Sequence, residues 1–182
     1  MGSPKALLEF RGRPLIQYPL DTLRKFCSEI FIVTQTPDLY QNLGAQVIQD
    51  LHRGYGPMGG IHAGLKNASN PWSIVLACDM PLVREELLRG LLEKTLGRDN
   101  LLAVLPLAPS GGELQKQPLC AAYSKSAIPF FEERIARNRI SLVEHLNPPQ
   151  ALVVPWLELD PADRDAVSFT NLNTPQDLSE GR

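Results

Sequence analysis

The chain has 182 residues, 43% of them hydrophobic, which is enough for one well-packed core and too little for two domains of ordinary size. With 18 Lys and Arg against 20 Asp and Glu, the formal net charge of -2 lacks the footprint of a nucleic-acid or anionic-membrane binder and points to a small-molecule partner. Cys27, Cys78 and Cys120 stand far apart in apolar contexts, as expected of reduced thiols in a cytoplasmic protein, and no run reaches the roughly 18–20 apolar residues of a membrane span.

Short apolar runs alternate with helical patterns along residues 1–182, the sequence appearance of one α/β domain whose parallel sheet is covered on both faces. In chain order, a helix is expected over Pro14–Phe26, strands over Ile30–Thr34 and Gln46–Gln49, a helix over Gly60–Asn67 and a strand over Ser73–Cys78. A helix over Arg84–Leu96 follows, then strands over Leu101–Leu107 and Leu119–Tyr123, a helix over Ala127–Arg137, and strands over Leu152–Trp156 and Val167–Thr170. Pro106, Pro109, Ser110 and the Gly111-Gly112 pair read as a flexible connection, and Asn147-Pro148-Pro149 as a second break. Thr174-Pro175-Gln176-Asp177 reads as a cap, a proline at the first helical position and an acid at the positive end of the dipole, so a short terminal helix is expected.

Four stretches carry chemistry. In "SIVLACDMPLV" an apolar strand ends in Asp79, and in open parallel sheets the ligand crevice lies at the carboxyl ends of the strands. A carboxylate there is a hard oxygen ligand of the kind magnesium takes, one or two at a time beside substrate phosphates; the alternative is a helix cap. Asp50 closes "AQVIQD" in the same manner, either as a second site carboxylate or as a turn residue. Between them "GYGPMGGIHAGL" supplies Gly54, Gly56, Gly59 and Gly60 ahead of a helix, so backbone can approach a ligand closely. Gly54-x-Gly56-x-x-Gly59 also satisfies the dinucleotide fingerprint and leaves an NAD-dependent oxidoreductase open, although Leu51-His52-Arg53 intervene after the strand and Pro57 sits awkwardly in the turn. Lys5, close behind Gly2, is a candidate point charge for phosphates, without the remainder of a P-loop. His52, His62 and His145 lack metal-ligand spacing, and the Arg134, Arg137 and Arg139 cluster follows a helix, offsetting its dipole or meeting an anionic substrate.

Taken in order, "MGSPKALLEFRGRPLI", "VIQD", "GPMGGIHAGL", "VLACDMPLV", "QPLCAAYSK" and "NLNTPQDL" resemble the molybdenum cofactor guanylyltransferases, the MobA-type nucleotidyltransferases. The resemblance runs through the whole chain and implies a Rossmann-like three-layer fold with a mostly parallel central sheet. It implies transfer of GMP from GTP to molybdopterin-bound molybdenum, with release of pyrophosphate. By the same resemblance Asp79 is catalytic and holds Mg2+, Lys5 is catalytic and contacts the GTP phosphates, and Asp50 lies in the GTP site. Gly56, Gly59 and Gly60 border the nucleotide pocket, while Asn171 and Asn173 match an Asn-x-Asn-Thr-Pro segment near the metal or the pterin phosphate. Transient contact with molybdenum cofactor biosynthesis proteins and acceptor molybdoenzymes is implied, and neither nucleic acid nor membrane.

Two departures from the family pattern matter. Thr34 stands where some members carry an asparagine in the pocket. The family opens with an apolar strand and Leu-x-Ala-Gly-Gly-x-Ser-x-Arg-Met-Gly-x-x-Lys, of which this sequence holds Met1-Gly2-x-x-Lys5, so the edges of the strands flanking that position are expected to lack a partner. A transferase using CTP or a sugar phosphate, and an inactive pterin-binding copy, remain as further alternatives.

Overall fold

A computed structural model describes residues 4–50, 52, 54–139, 141–142, 146–173 and 177. The chain starts with a 3-10 turn, Lys5–Leu7, and a small hairpin of β1 (Glu9–Phe10) and β2 (Arg13–Pro14). Arg11 and Gly12, both at positive φ, make its turn. Helix α1 (Gln17–Arg24) leads to β3 (Phe31–Thr34) and β4 (Gln46–Gln49), a parallel pair in register from Phe31 opposite Gln46 to Thr34 opposite Gln49.

Helix α2 (Pro57–Asn67) then crosses to β5 (Trp72–Leu76), and α3 (Glu85–Glu93) follows. Next come β6 (Ala103–Ser110), β7 (Glu113–Lys116), β8 (Cys120–Ser124), α4 (Ile128–Ala136), β9 (Ala151–Pro155) and the one-turn α5 (Trp156–Leu159). These strands form a five-stranded sheet in which β8 lies between β5 and β6, while β9 pairs with the far edge of β6. β7 continues along the β8 side of β6, pairing with its second half.

Each strand of this sheet presents alternate residues to two helical layers. Cys120 and Ala122 of β8, with Val104 and Ala108 of β6, face Leu87, Leu88 and Leu91 of α3. Ala121 and Tyr123 of β8, with Ala103 and Leu105 of β6, face Met58 and Leu65 of α2 and Phe131 of α4. That period of two on strands, meeting the three-to-four spacing on helices, is what makes three layers. Burial pushes the Cys120 thiol up to about 12, so it packs as a small apolar group, and Cys27, Cys78 and Cys120 form no disulfide.

The α/β class and three layers stand; the mostly parallel sheet requires correction. β5, β7 and β8 run antiparallel to their neighbours in the five-stranded sheet, and β6–β9 and β3–β4 are the parallel pairs. The physical reason is the Gly111-Gly112 pair. Both glycines have positive φ and close a two-residue hairpin, so the stretch read as a flexible connection is a β-turn between paired strands. β8 then continues in the direction of β7 along the same edge of β6 without a helical crossover, so both run antiparallel to β6. Val167–Phe169 is a 3-10 turn instead of a strand, with Ala166 in the left-handed region and the Val167 and Ser168 amides donating to the Asp163 carboxylate. The helix expected after Thr174 falls mostly on residues outside those described.

Burial is uneven across the sheet. All five residues of β8 are buried, whereas all five of β5 are only partly so. β5 pairs with β8 on one edge, and β3 pairs with β4 on one edge. Among the described residues no strand pairs with their other edges.

Candidate nucleotide site

Lys5 is placed by the first turn of the chain. The Leu8 amide donates to its carbonyl at 3.1 Å, Ala6 is buried, and the Ala6 carbonyl accepts from Ile16 at the start of α1. Its side chain then reaches the carboxyl end of β5. There the ammonium donates to Asp79 Oδ2 at 2.5 Å and to Asn173 Oδ1 at 2.6 Å. Asp79 lies in the turn that follows β5, ahead of Pro81, and its carbonyl accepts from Leu172 at 3.0 Å. Asn173 donates its own amide to Asp177 Oδ2 at 2.8 Å. Three of the residues singled out from sequence thus converge, although 168 positions separate Lys5 from Asn173. Asn171 lies exposed on the same short segment.

The glycine loop has a definite job. Gly56 caps α2 at φ 52° and ψ -137°, a conformation that disfavours any side chain, and Pro57 takes the first helical position, where its missing N–H costs nothing. The helix therefore begins three residues earlier than its apolar pattern indicates, and Pro57 belongs to the helix rather than to an awkward turn. A Cβ on Gly59 would sit 2.9 Å from Asp50 Oδ1 and 3.1 Å from the His52 carbonyl, so this glycine admits the carboxylate against the helix. Gly60 has open space on the other side and lines the same cavity as Pro57 and Asp79.

Asp50 is buried, takes a 2.9 Å bond from the His52 amide, and gives its own amide to the Thr34 carbonyl at 2.8 Å. It shapes the loop ahead of α2 and is not among the residues contacting Lys5. Thr34 Oγ1 accepts from the Thr36 amide at 3.2 Å, a local turn bond. His62 is buried on α2 with its ring 5.0 Å from that of His52 and Nε2 3.4 Å from Glu132 Oε1; burial holds its pKa down and the Glu132 carboxylate opposes the shift. His145 lies outside the described residues. In the arginine cluster Arg134 stacks 4.3 Å from the Phe130 ring and Arg137 pairs with Glu133 at 2.9 Å, both within α4 and its end. Cys78, beside Asp79, is held as the neutral thiol by burial first and then by the neighbouring carboxylate, against the pull of Lys5.

Chemically, the convergence offers one carboxylate, one amide oxygen and one ammonium at a strand end beside the start of a helix. Among the described residues no group of three or more His, Cys, Asp or Glu side chains is built to cage a metal. Asp79 with the Asn173 oxygen fits instead a hard cation that arrives with phosphates and brings most of its own ligands. The sequence missed the bond that ties Leu172 to Asp79 and the one that ties His52 to Asp50. The first is a backbone contact between distant segments that no local pattern signals, whereas the second is a local turn bond to the Asp50 side chain, the turn role open to that residue from sequence.

Fold and site together define a nucleotidyltransferase. Residues 1–148 match the MobA-like NTP transferase domain, and the chain belongs to that family. A relative from Pelotomaculum thermopropionicum, named a probable molybdenum cofactor guanylyltransferase, is 34% identical over 182 residues, spanning all of this chain and 85% of that protein. The molybdenum cofactor guanylyltransferase of Desulfosudis oleivorans is 30% identical over 98% of this chain and 86% of its own length. Among solved structures, molybdopterin-guanine dinucleotide biosynthesis protein A from Archaeoglobus fulgidus superposes with a TM-score of 0.79 at 29% identity, covering 97% of this chain and 88% of that one. The dinucleotide-fingerprint alternative, an NAD-dependent oxidoreductase, has no support in these relationships, and "GPMGG" is a capped helix start in a transferase.

Proposed function

We propose that this single transferase domain, residues 1–182, moves GMP from GTP onto Mo-molybdopterin in the cytoplasm. The observation that carries the reading is the meeting of Lys5, Asp79 and Asn173 at the carboxyl end of β5. The names of the relatives supply the substrates.

In this reading a terminal phosphate oxygen of the pterin attacks the α-phosphorus of GTP. A new P–O bond forms, the bond from the α-phosphorus to the oxygen bridging the β-phosphate breaks, and pyrophosphate leaves with that electron pair. The nucleophile is an anion at neutral pH, so the protein has to align the partners and offset charge. Lys5 swings from Asp79 to the phosphates, a short move for a flexible side chain with three rotatable donors. Asp79 and the Asn173 oxygen would hold magnesium, which would supply charge neutralisation at the phosphates when bound. The first turn of α2 directs backbone N–H groups toward the nucleotide, and Asp50 fixes the loop that precedes it. The product then passes to an acceptor molybdoenzyme.

The test is incubation of the purified protein with magnesium, Mo-molybdopterin and α-labelled GTP or CTP. Labelled guanine dinucleotide with equimolar pyrophosphate is the expected result. Incorporation from CTP in place of GTP refutes the guanylyl assignment, and pterin retention without turnover under either nucleotide identifies a binding copy.

A further inference from the structure

We propose that Arg84 and Ser168 are positioning residues for the meeting of Lys5, Asp79 and Asn173: together they pin the segment that carries Asn171 and Asn173 to the segment that carries Asp79.

Residues 79–84 lead from β5 into α3, and residues 168–173 continue from the 3-10 turn Val167–Phe169. The two segments run past each other in opposite directions and are tied at two places. At one end the Leu172 amide donates to the Asp79 carbonyl at 3.0 Å. At the other the Arg84 amide donates to Ser168 Oγ at 3.1 Å, and Ser168 is fully buried, which keeps water from competing for that bond. Between the ties Leu82 packs on the cluster of Phe10, Leu15 and Leu172, while Met80 and Val83 share a cluster with Phe169.

Arg84 also anchors the turn from which the second segment springs. Its Nε donates to Asp160 Oδ2 at 2.5 Å, and Asp160 Oδ1 accepts from the Ala162 amide at 3.0 Å. Asp163, which takes the Val167 and Ser168 amides on its carboxylate, also accepts from Trp156 Nε1 on its carbonyl at 2.8 Å. Asp160 and Asp163 are 2% and 3% exposed. Two buried acids three residues apart require a cation, and Arg84, bonded to Asp160 and within the field of Asp163, supplies it. Gly90 lets this turn lie against α3, because a Cβ there would collide with the Leu159 carbonyl, one residue before Asp160.

A single tie would leave residues 168–173 to pivot about Leu172, and the second removes the pivot. The site has little tolerance for such a motion. Lys5 Nζ meets Asp79 Oδ2 at 2.5 Å and Asn173 Oδ1 at 2.6 Å, so a displacement of Asn173 by about 1 Å breaks one of the two bonds. Arg84 and Ser168 act through the backbone that carries Asp79 and Asn173, not by touching substrate. In the guanylyl-transfer reading, on which this inference rests, those two oxygens would face the metal, and removing a group that orients metal ligands from behind lowers affinity or rate by about 10–100-fold.

The test uses Ser168→Ala, which deletes one oxygen, Arg84→Met, which keeps the stem and removes the cation, and Arg84→Lys, which restores the charge. Amide hydrogen exchange of the ligand-free protein, read by NMR, should show Leu172 about tenfold faster in Ser168→Ala and Arg84→Met, with the amides of buried β8 at their wild-type rates. In GMP transfer the magnesium needed for half-maximal rate should rise by about 10–100-fold in both, with the KM for GTP changed less, and Arg84→Lys should recover most of the loss. Ser168→Ala decides alone if Arg84→Met does not fold. A wild-type Leu172 rate, equal acceleration of the β8 amides, an unchanged magnesium requirement, or Arg84→Lys as impaired as Arg84→Met overturns the proposal. Leu172 exchange needs no turnover, so wild-type protein that transfers no GMP refutes the guanylyl reading, while a Leu172 amide unmoved in the variants refutes the clamp.

Discussion

β8 and β5 are neighbours in one sheet, yet they live in different surroundings. β8 reads Cys-Ala-Ala-Tyr-Ser and is wholly buried, while β5 reads Trp-Ser-Ile-Val-Leu, the more apolar sequence, and is only half-buried throughout. The difference is pairing: β8 has a strand on each edge and a helical layer on each face, whereas β5 has one paired edge and one that borders a cleft lined by Val33, Gly60 and Asp79. Burial here is set by how many sides of a strand the fold closes, and hydrophobicity only permits it.

The largest effect that separates these regions is expected from truncation. Leu105→Ala, in β6 beside β8, should cost about 2–5 kcal/mol, and Ile74→Ala in β5 less than half of that, because cavity cost scales with lost contacts. Urea unfolding of the two variants measures it, and equal losses would mean the cleft is closed in solution. Next, Asp79→Asn should lower the rate of GMP transfer by roughly 100-fold to 1,000-fold, the scale of removing one electrostatic group from such a site. Initial rates against wild type give the factor, and an unchanged rate removes Asp79 from the chemistry. Lys5→Ala should raise the KM for GTP by about tenfold, worth about 1.4 kcal/mol, with a smaller change in kcat; a loss confined to melting temperature would make Lys5 structural.

The smallest effect concerns His62, on α2 above the cleft. Its pKa is held below the ordinary value of about 6.5, chiefly by burial, so the unfolded chain binds the proton more readily than the folded one. Stability from this group is present above pH about 6.5 and is lost as pH falls through that value toward the folded pKa. Melting temperatures of wild type and His62→Gln between pH 5 and 8, on the scale where histidine titrates, should differ in slope only at the acid end.

Much of this was legible in the sequence. The strands Phe31–Thr34 and Gln46–Gln49 declared themselves as short apolar runs, the helices around Leu87 and Phe131 by their three-to-four spacing, and Asp79 by ending an apolar run ahead of Pro81. Gly111-Gly112 was misleading because glycine pairs mark both linkers and hairpin turns, and the polar Glu113–Lys116 strand carries no apolar face to announce it. Val167–Phe169 is apolar and β-rich in composition, yet the Asp163 carboxylate captures its amides before a neighbouring strand can. Lys5 and Asn173 could be named singly from the sequence, but their meeting required Leu172 to bond the backbone at the end of β5.

The Lys5–Asp79 ion pair carries a kinetic consequence. Between turnovers the two charges cancel at the mouth of the site, so the pair contributes no long-range pull on an incoming polyanion. Capture of nucleotide is then an exchange of ionic partners at contact distance, and its association rate should respond only weakly to ionic strength.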